Sequence, residues 1–166
     1  MEQREVDEVR RVMTRIEDPD FLTPTYIASG HNVVRSVLLE TEELKHLLAH
    51  AGPAGQLVRA RTEGLRTEQT GAAPALITYF VFFERTQDSE ALPCLAAYVQ
   101  SLPDESAPAS ASPWHPFRYA VRAIEAITKP TLPVPDRQNF ASRYALAAAA
   151  TAWYDQHVQR QQSSPP

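Results

Sequence analysis

Val6, Val9, Met13 and Ile16 recur at intervals of three and four with charged residues between them. That spacing predicts an amphipathic surface helix, ended by Asp18-Pro19-Asp20. Over residues 21–30 the period lapses, and Pro24, Tyr26 and Ile27 fit either a short helix or a turn, closed by Gly30. It returns with Val33, Val34, Val37, Leu38, Leu44, Leu47 and Leu48, broken only at residues 40–43. Thr41 is placed there to cap a fresh helix whose acidic first turn suits the positive end of the macrodipole. Residues 32–51 are thus one kinked helix or two, stopped by Gly52-Pro53. Residues 54–69 are mostly good helix formers with Leu57, Val58 and Leu65 the only large apolar side chains, which predicts an exposed helix broken at Gly71.

The pattern changes at Leu76-Ile77-Thr78-Tyr79-Phe80-Val81-Phe82-Phe83, where both faces are apolar. β-branched and aromatic residues make a strand the competing reading. A helix over residues 74–85 is favoured by length, by helical flanks and by the lack of a partner strand of similar propensity. Pro74 suits its first turn, and apolarity on every side makes it the buried central helix. Asp88 or Ser89 caps the next helix, with Leu92, Leu95, Ala96 and Val99 inward and Pro93 early enough to be tolerated. Residues 103–113 hold three prolines and no large apolar side chain, and read as a mobile loop. Phe117, Ala120 or Val121, Ile124 and Ile127 form the stripe of another helix, ended by Lys129-Pro130. Pro130, Pro133 and Pro135 then make a stiff connector. Asp136 is placed to cap a last helix facing inward through Phe140, Tyr144, Ala147, Ala148, Thr151, Tyr154 and Val158. Five alanines within residues 145–150 predict close packing of that helix on the central one.

At 166 residues the chain suffices for one self-supporting core, expected over residues 1–160 with a disordered tail at 161–166. Sixteen basic residues are scattered among 20 acidic ones, for a net charge of −4. Nucleic-acid binders concentrate Lys and Arg on one face, so that function is disfavoured. The lone Cys94 forms no internal disulfide and sits in an apolar run as a small core residue. No leader-like stretch opens the chain, and the longest apolar run falls far short of the roughly twenty residues that span a bilayer. A soluble cytoplasmic protein without a membrane partner is the expectation.

Ala91-Leu92-Pro93-Cys94-Leu95-Ala96-Ala97-Tyr98-Val99 followed after a loop by His115-Pro116-Phe117-Arg118-Tyr119-Ala120-Val121-Arg122-Ala123-Ile124 resembles a HEAT-type helical repeat. The resemblance covers residues 89–129. It implies two helices burying against each other and against neighbouring hairpins, and a binding scaffold, and says nothing about a reaction. The intervening loop is longer than usual for such a unit, and no second copy recurs at a fixed period. The fold class is therefore all-α: a short HEAT-like stack of helical hairpins, or an irregular helical bundle, around a central apolar helix.

Chemistry-bearing residues are few. Glu43, His46 and His50 can share a helix face, but a catalytic zinc needs another ligand from elsewhere and a di-iron bundle needs the Glu-x-x-His pattern twice. An exposed polar face accounts for them, and neither metal nor cofactor is assigned. Scattered histidines and serines form no recognisable triad, and there is no glycine-rich phosphate loop. Aromatics beside a flexible segment are frequent interface anchors. Trp114, His115, Phe117, Arg118 and Arg122 are accordingly the candidate partner-binding residues, with folding of Trp114 and Phe117 onto the core as the alternative. The expected function is a non-enzymatic, protein-binding adaptor or inhibitor, with a basic protein among the candidate partners. The second expectation is a ligand-binding or enzymatic helical domain with a pocket between the central and last helices, lined by Tyr79, Phe80, Tyr144 and Trp153.

Overall fold

The structure is a computed structural model that describes residues 2–21, 34–66, 73–110, 112 and 115–164. It is all-helical, with no strand among the described residues. In chain order the helices are α1 (Gln3–Ile16), α2 (Val34–Glu40), α3 (Glu42–Ala49), α4 (Ala51–Arg66), α5 (Ala73–Thr86), α6 (Leu92–Ser101), α7 (Ala107–Ser110), α8 (Pro116–Thr128) and α9 (Arg143–Ser163). Short 3-10 turns at Ser89–Ala91, Asp104–Ser106 and Phe140–Ser142 lead into α6, α7 and α9.

The apolar segment is a helix, and the fold is arranged about it. Every residue from Ala75 to Phe83 on α5 is buried, because α1, α2, α3 and α4 pack around it and α8 covers it most extensively. The hydroxyl of Thr78 is satisfied within the helix by donating to Pro74 O at 2.8 Å. Full burial of each large side chain here contributes about 1.5–3 kcal/mol, and edge contacts such as Phe80 on Tyr98, centroids 4.9 Å apart, add to it.

The N-terminal half follows its pattern with local differences. α1 buries Val9, Val12, Met13 and Ile16. Residues 34–49 are two helices, because Thr41 ends one and starts the other: its hydroxyl donates to Leu38 O at 2.6 Å and accepts from Leu44 N at 3.3 Å. Gly52 and Pro53 do not stop a helix; they lie in the first turn of α4, where a missing amide proton costs nothing. Nor is α4 wholly exposed. It turns Ala54, Val58, Thr62 and Leu65 inward, a stripe half of which is too small or too polar to stand out by hydrophobicity.

The C-terminal half departs further. α9 packs chiefly on α6, not on the central helix. Its buried residues are Arg143, Leu146, Ala147 and Ala150, while Tyr144 is 55% exposed. The phase differs because Phe140 belongs to the preceding turn, capped by Asn139 and not by Asp136. An alanine run also carries no periodic signal to set the inward face. α9 continues to Ser163, so residues 161–163 are helical where a disordered tail was expected. The expected loop at 103–113 contains the Asp104–Ser106 turn and α7, and α7 touches α8 and the Phe140–Ser142 turn. The uncertain segment at 22–30 and Trp114 lie outside the described residues.

Candidate functional site

α8 presents the residues that the sequence nominated, and the structure separates their roles. Phe117 is 1% exposed and packs edge-on against Phe140 at 5.3 Å, so it is a core residue and offers a partner no surface; this corrects its assignment as a contact. His115 is half-buried and caps α8, its Nδ1 accepting from Phe117 N at 3.1 Å. Desolvation holds its pKa below the usual histidine value. Arg118 and Arg122 are exposed one turn apart, beside buried Tyr119, whose pKa is raised by burial and lowered in part by both guanidiniums and by Arg35. Arg35 itself is committed to Glu84 through two hydrogen bonds of 2.9 and 3.0 Å.

At 100° per residue, Arg118, Arg122, Glu125 and Lys129 fall on one face of α8. Glu125 is engaged by Arg137 Nε at 3.2 Å and by Gln138. Lys129 adopts a left-handed conformation, φ 53°, as it ends the helix. Gln87 does the same beyond α5, φ 51°. Both helix ends open onto one groove of about 820 Å³ against the second half of α9.

That groove is a concavity bounded by the ends of α5 and α8 and by α9. Gln87, Lys129, Thr131, Trp153, His157 and Arg160 line it, and among the described residues no Asp or Glu does. Trp153 and His157, one turn apart, stack with centroids 5.0 Å apart and planes 12° apart. Its volume falls within the range of ligand pockets. Aromatic area, hydrogen-bonding side chains and two exposed cations are what a carboxylate-bearing ligand needs. Of the residues expected to line a pocket between the central and last helices, Tyr79 and Phe80 are fully buried in the core and Tyr144 faces outward, while Trp153 lines the groove. The pattern Trp153-x-x-x-His157-x-x-Arg160 was readable as one helix face, whereas its pairing with Lys129 depends on the chain reversal at residues 129–139.

Other candidates resolve simply. Cys94 is buried, donates to Ala91 O at 3.1 Å and has its thiol pKa pushed up to about 12, chiefly by desolvation, the opposite of an activated nucleophile. The rings of His46 and His50 lie 4.5 Å apart. Among the described residues no group of three or more His, Cys, Asp or Glu is arranged to hold a metal ion, and no described helix is long and apolar enough to cross a membrane. Comparison with family models, curated proteins and solved structures finds no match to this chain, so its function is read from the geometry alone.

Proposed function

We propose that the chain is a non-enzymatic protein-binding scaffold of the cytoplasm that receives an acidic segment of its partner in the groove beside α9. The observation that carries this is the sign of the groove. Lys129 and Arg160 line it with no acidic side chain among the described residues, in a chain whose net charge is −4. Such local reversal of charge steers an oppositely charged segment and sets its register. Arg118 and Arg122 extend the cationic face along α8. An acidic partner therefore replaces the basic one that net charge alone suggested. Trp153 supplies the rigid aromatic area on which binding energy concentrates. The pairing of α5 with α8 and of α6 with α9 supports a stack of helices as the scaffold.

The test is a fluorescence titration in a Trp114→Phe background, so that Trp153 alone reports, against carboxylate-rich and lysine-rich peptides of equal length. Carboxylate-rich peptides change the Trp153 emission saturably, and affinity falls as salt rises toward physiological strength. Lys129→Glu with Arg160→Glu weakens binding at least tenfold, about 1.4 kcal/mol. Equal binding of both peptide classes, or indifference to the charge reversal, refutes the reading.

A further inference from the structure

The rings of Trp153 and His157, one turn apart where α9 lines the groove, lie in near-parallel planes 12° apart with centroids at 5.0 Å. Both residues are half-buried, so the stack orients the imidazole without sealing it from the groove. His157 Nε2 lies 3.1 Å from Gln161 Nε2, a further turn along. The neutral ring accepts there from the amide and keeps its proton on Nδ1. The charged ring is protonated on both nitrogens, and Gln161 meets it by turning its carbonyl oxygen inward. The charged groups that face this ring are cationic: exposed Lys129 at the end of α8 and exposed Arg160 on α9 itself. Asp155, two residues before His157, is exposed about 200° around the helix. α6, the chief neighbour of α9, carries no Asp, Glu, Lys, Arg or His. In the turn before it Asp88 pairs with Arg59, and Glu90 accepts from the Tyr154 hydroxyl at 2.7 Å. On α8, Glu125 is held by Arg137.

We propose that His157 is a proton-operated third cation of this groove, which tightens its hold on an acidic segment as pH falls. The inference rests on the reading of the groove as a receiver of acidic segments. Histidine is the side chain whose charge changes between pH 5 and 8, a range over which lysine and arginine stay charged. A positive imidazole against the indole face gains a cation–π contact, so the stack holds the new charge at the groove wall. While the groove is empty, Lys129 and Arg160 oppose that charge; a carboxylate seated between them favours it. Proton uptake and segment binding therefore reinforce each other, and by linkage each strengthens the other by the same factor.

The experiment follows Trp153 emission of the full chain in the Trp114→Phe background at constant ionic strength. The probe is a short cysteic acid peptide, whose sulfonates keep their charge throughout, titrated at pH 7.5 and at pH 5.5. The dissociation constant is expected to fall about three- to fivefold at the lower pH, the worth of one partly exposed charge pair. Without peptide, the emission shows a step between the two pH values that is absent in His157→Gln. That variant binds the peptide equally at both. His157→Lys, with its charge fixed, binds at pH 7.5 as tightly as the unsubstituted protein does at pH 5.5 and shows no pH response. His115 caps the opposite end of α8, about 20 Å along the axis from Lys129, and is the same in every variant. Binding that is equal at both pH values, no emission step, or a pH response surviving in His157→Gln overturns this inference and leaves the groove reading standing. No binding at either pH overturns both.

Discussion

Tyr79 and Glu17 meet across the core. The phenol of a side chain with no exposed surface donates to Glu17 Oε2 at 2.7 Å, and Arg61 Nε donates to the other carboxylate oxygen at 2.6 Å. One carboxylate just beyond α1 is thereby tied to both α4 and α5. Burial, and then the Glu17 hydrogen bond, raise the phenol pKa, so the proton stays on Tyr79.

Removing the hydroxyl leaves the ring packing intact and isolates that bond. A hydrogen bond to a charged acceptor contributes about 1.5–3 kcal/mol. Tyr79→Phe is expected to lose about 2 kcal/mol of unfolding free energy in urea at unchanged m-value. A loss under about 0.5 kcal/mol shows that Glu17 is as well solvated without the phenol.

Arg143 is 4% exposed and lies between the rings of Phe140 and Tyr144, its Cζ 4.3 and 4.4 Å from their centroids. It donates to Leu102 O at 3.1 Å and Phe140 O at 3.4 Å and pairs with Asp104. The Asp104 side chain is 92% exposed, so its ion pair is screened and weak, whereas the carbonyl bonds and ring contacts are shielded. Arg143→Ala is expected to cost about 2–3 kcal/mol and Asp104→Ala under about 1 kcal/mol, both by urea unfolding. Equal losses show that the ion pair dominates.

His115 links stability to pH. Its folded pKa lies below the usual value because burial disfavours the charged ring, so the unfolded chain takes up the proton first as pH falls. The contribution is complete above the unfolded value of about 6.5 and is lost as pH drops from there toward the depressed folded value. Protonation also converts the Nδ1 cap acceptor into a donor. His115→Asn, which retains a capping oxygen, is expected to flatten the decline in stability between pH 7.5 and pH 5 relative to wild type. An identical pH profile contradicts this.

Cys94, the one thiol, is 6% exposed with its pKa near 12. Labelling by a disulfide reagent at pH 8 is expected only as fast as the protein opens, and to accelerate at least a hundredfold in denaturing urea. Rapid labelling of the native protein places Cys94 outside the core.

The sequence made the central helix, the Thr41 cap and the α8 stripe legible, because each rests on a local rule: burial follows apolarity, capping follows side-chain chemistry, and period follows spacing. What it concealed depends on the chain folding back. Arg143 occupies an inward position of α9 because two rings and two carbonyls receive its guanidinium, and nothing local announces that. Ala147 and Ala150 face inward while Ala148 does not, a choice no alanine run encodes. The α9 groove was missed for the same reason: Lys129 and Arg160 are 31 positions apart in the chain and share a concavity only through the reversal at residues 129–139.

Apolarity on all sides of α5 carries a cost in uniqueness. A cylinder equally greasy around its circumference gains nearly as much by burial after a 100° turn as before it, so hydrophobicity holds the rod in place without saying which way it points. Orientation is left to its polar atoms, Tyr79 reaching Glu17 from mid-helix and Glu84 reaching Arg35 from the last turn, two pins about 140° apart around the same axle.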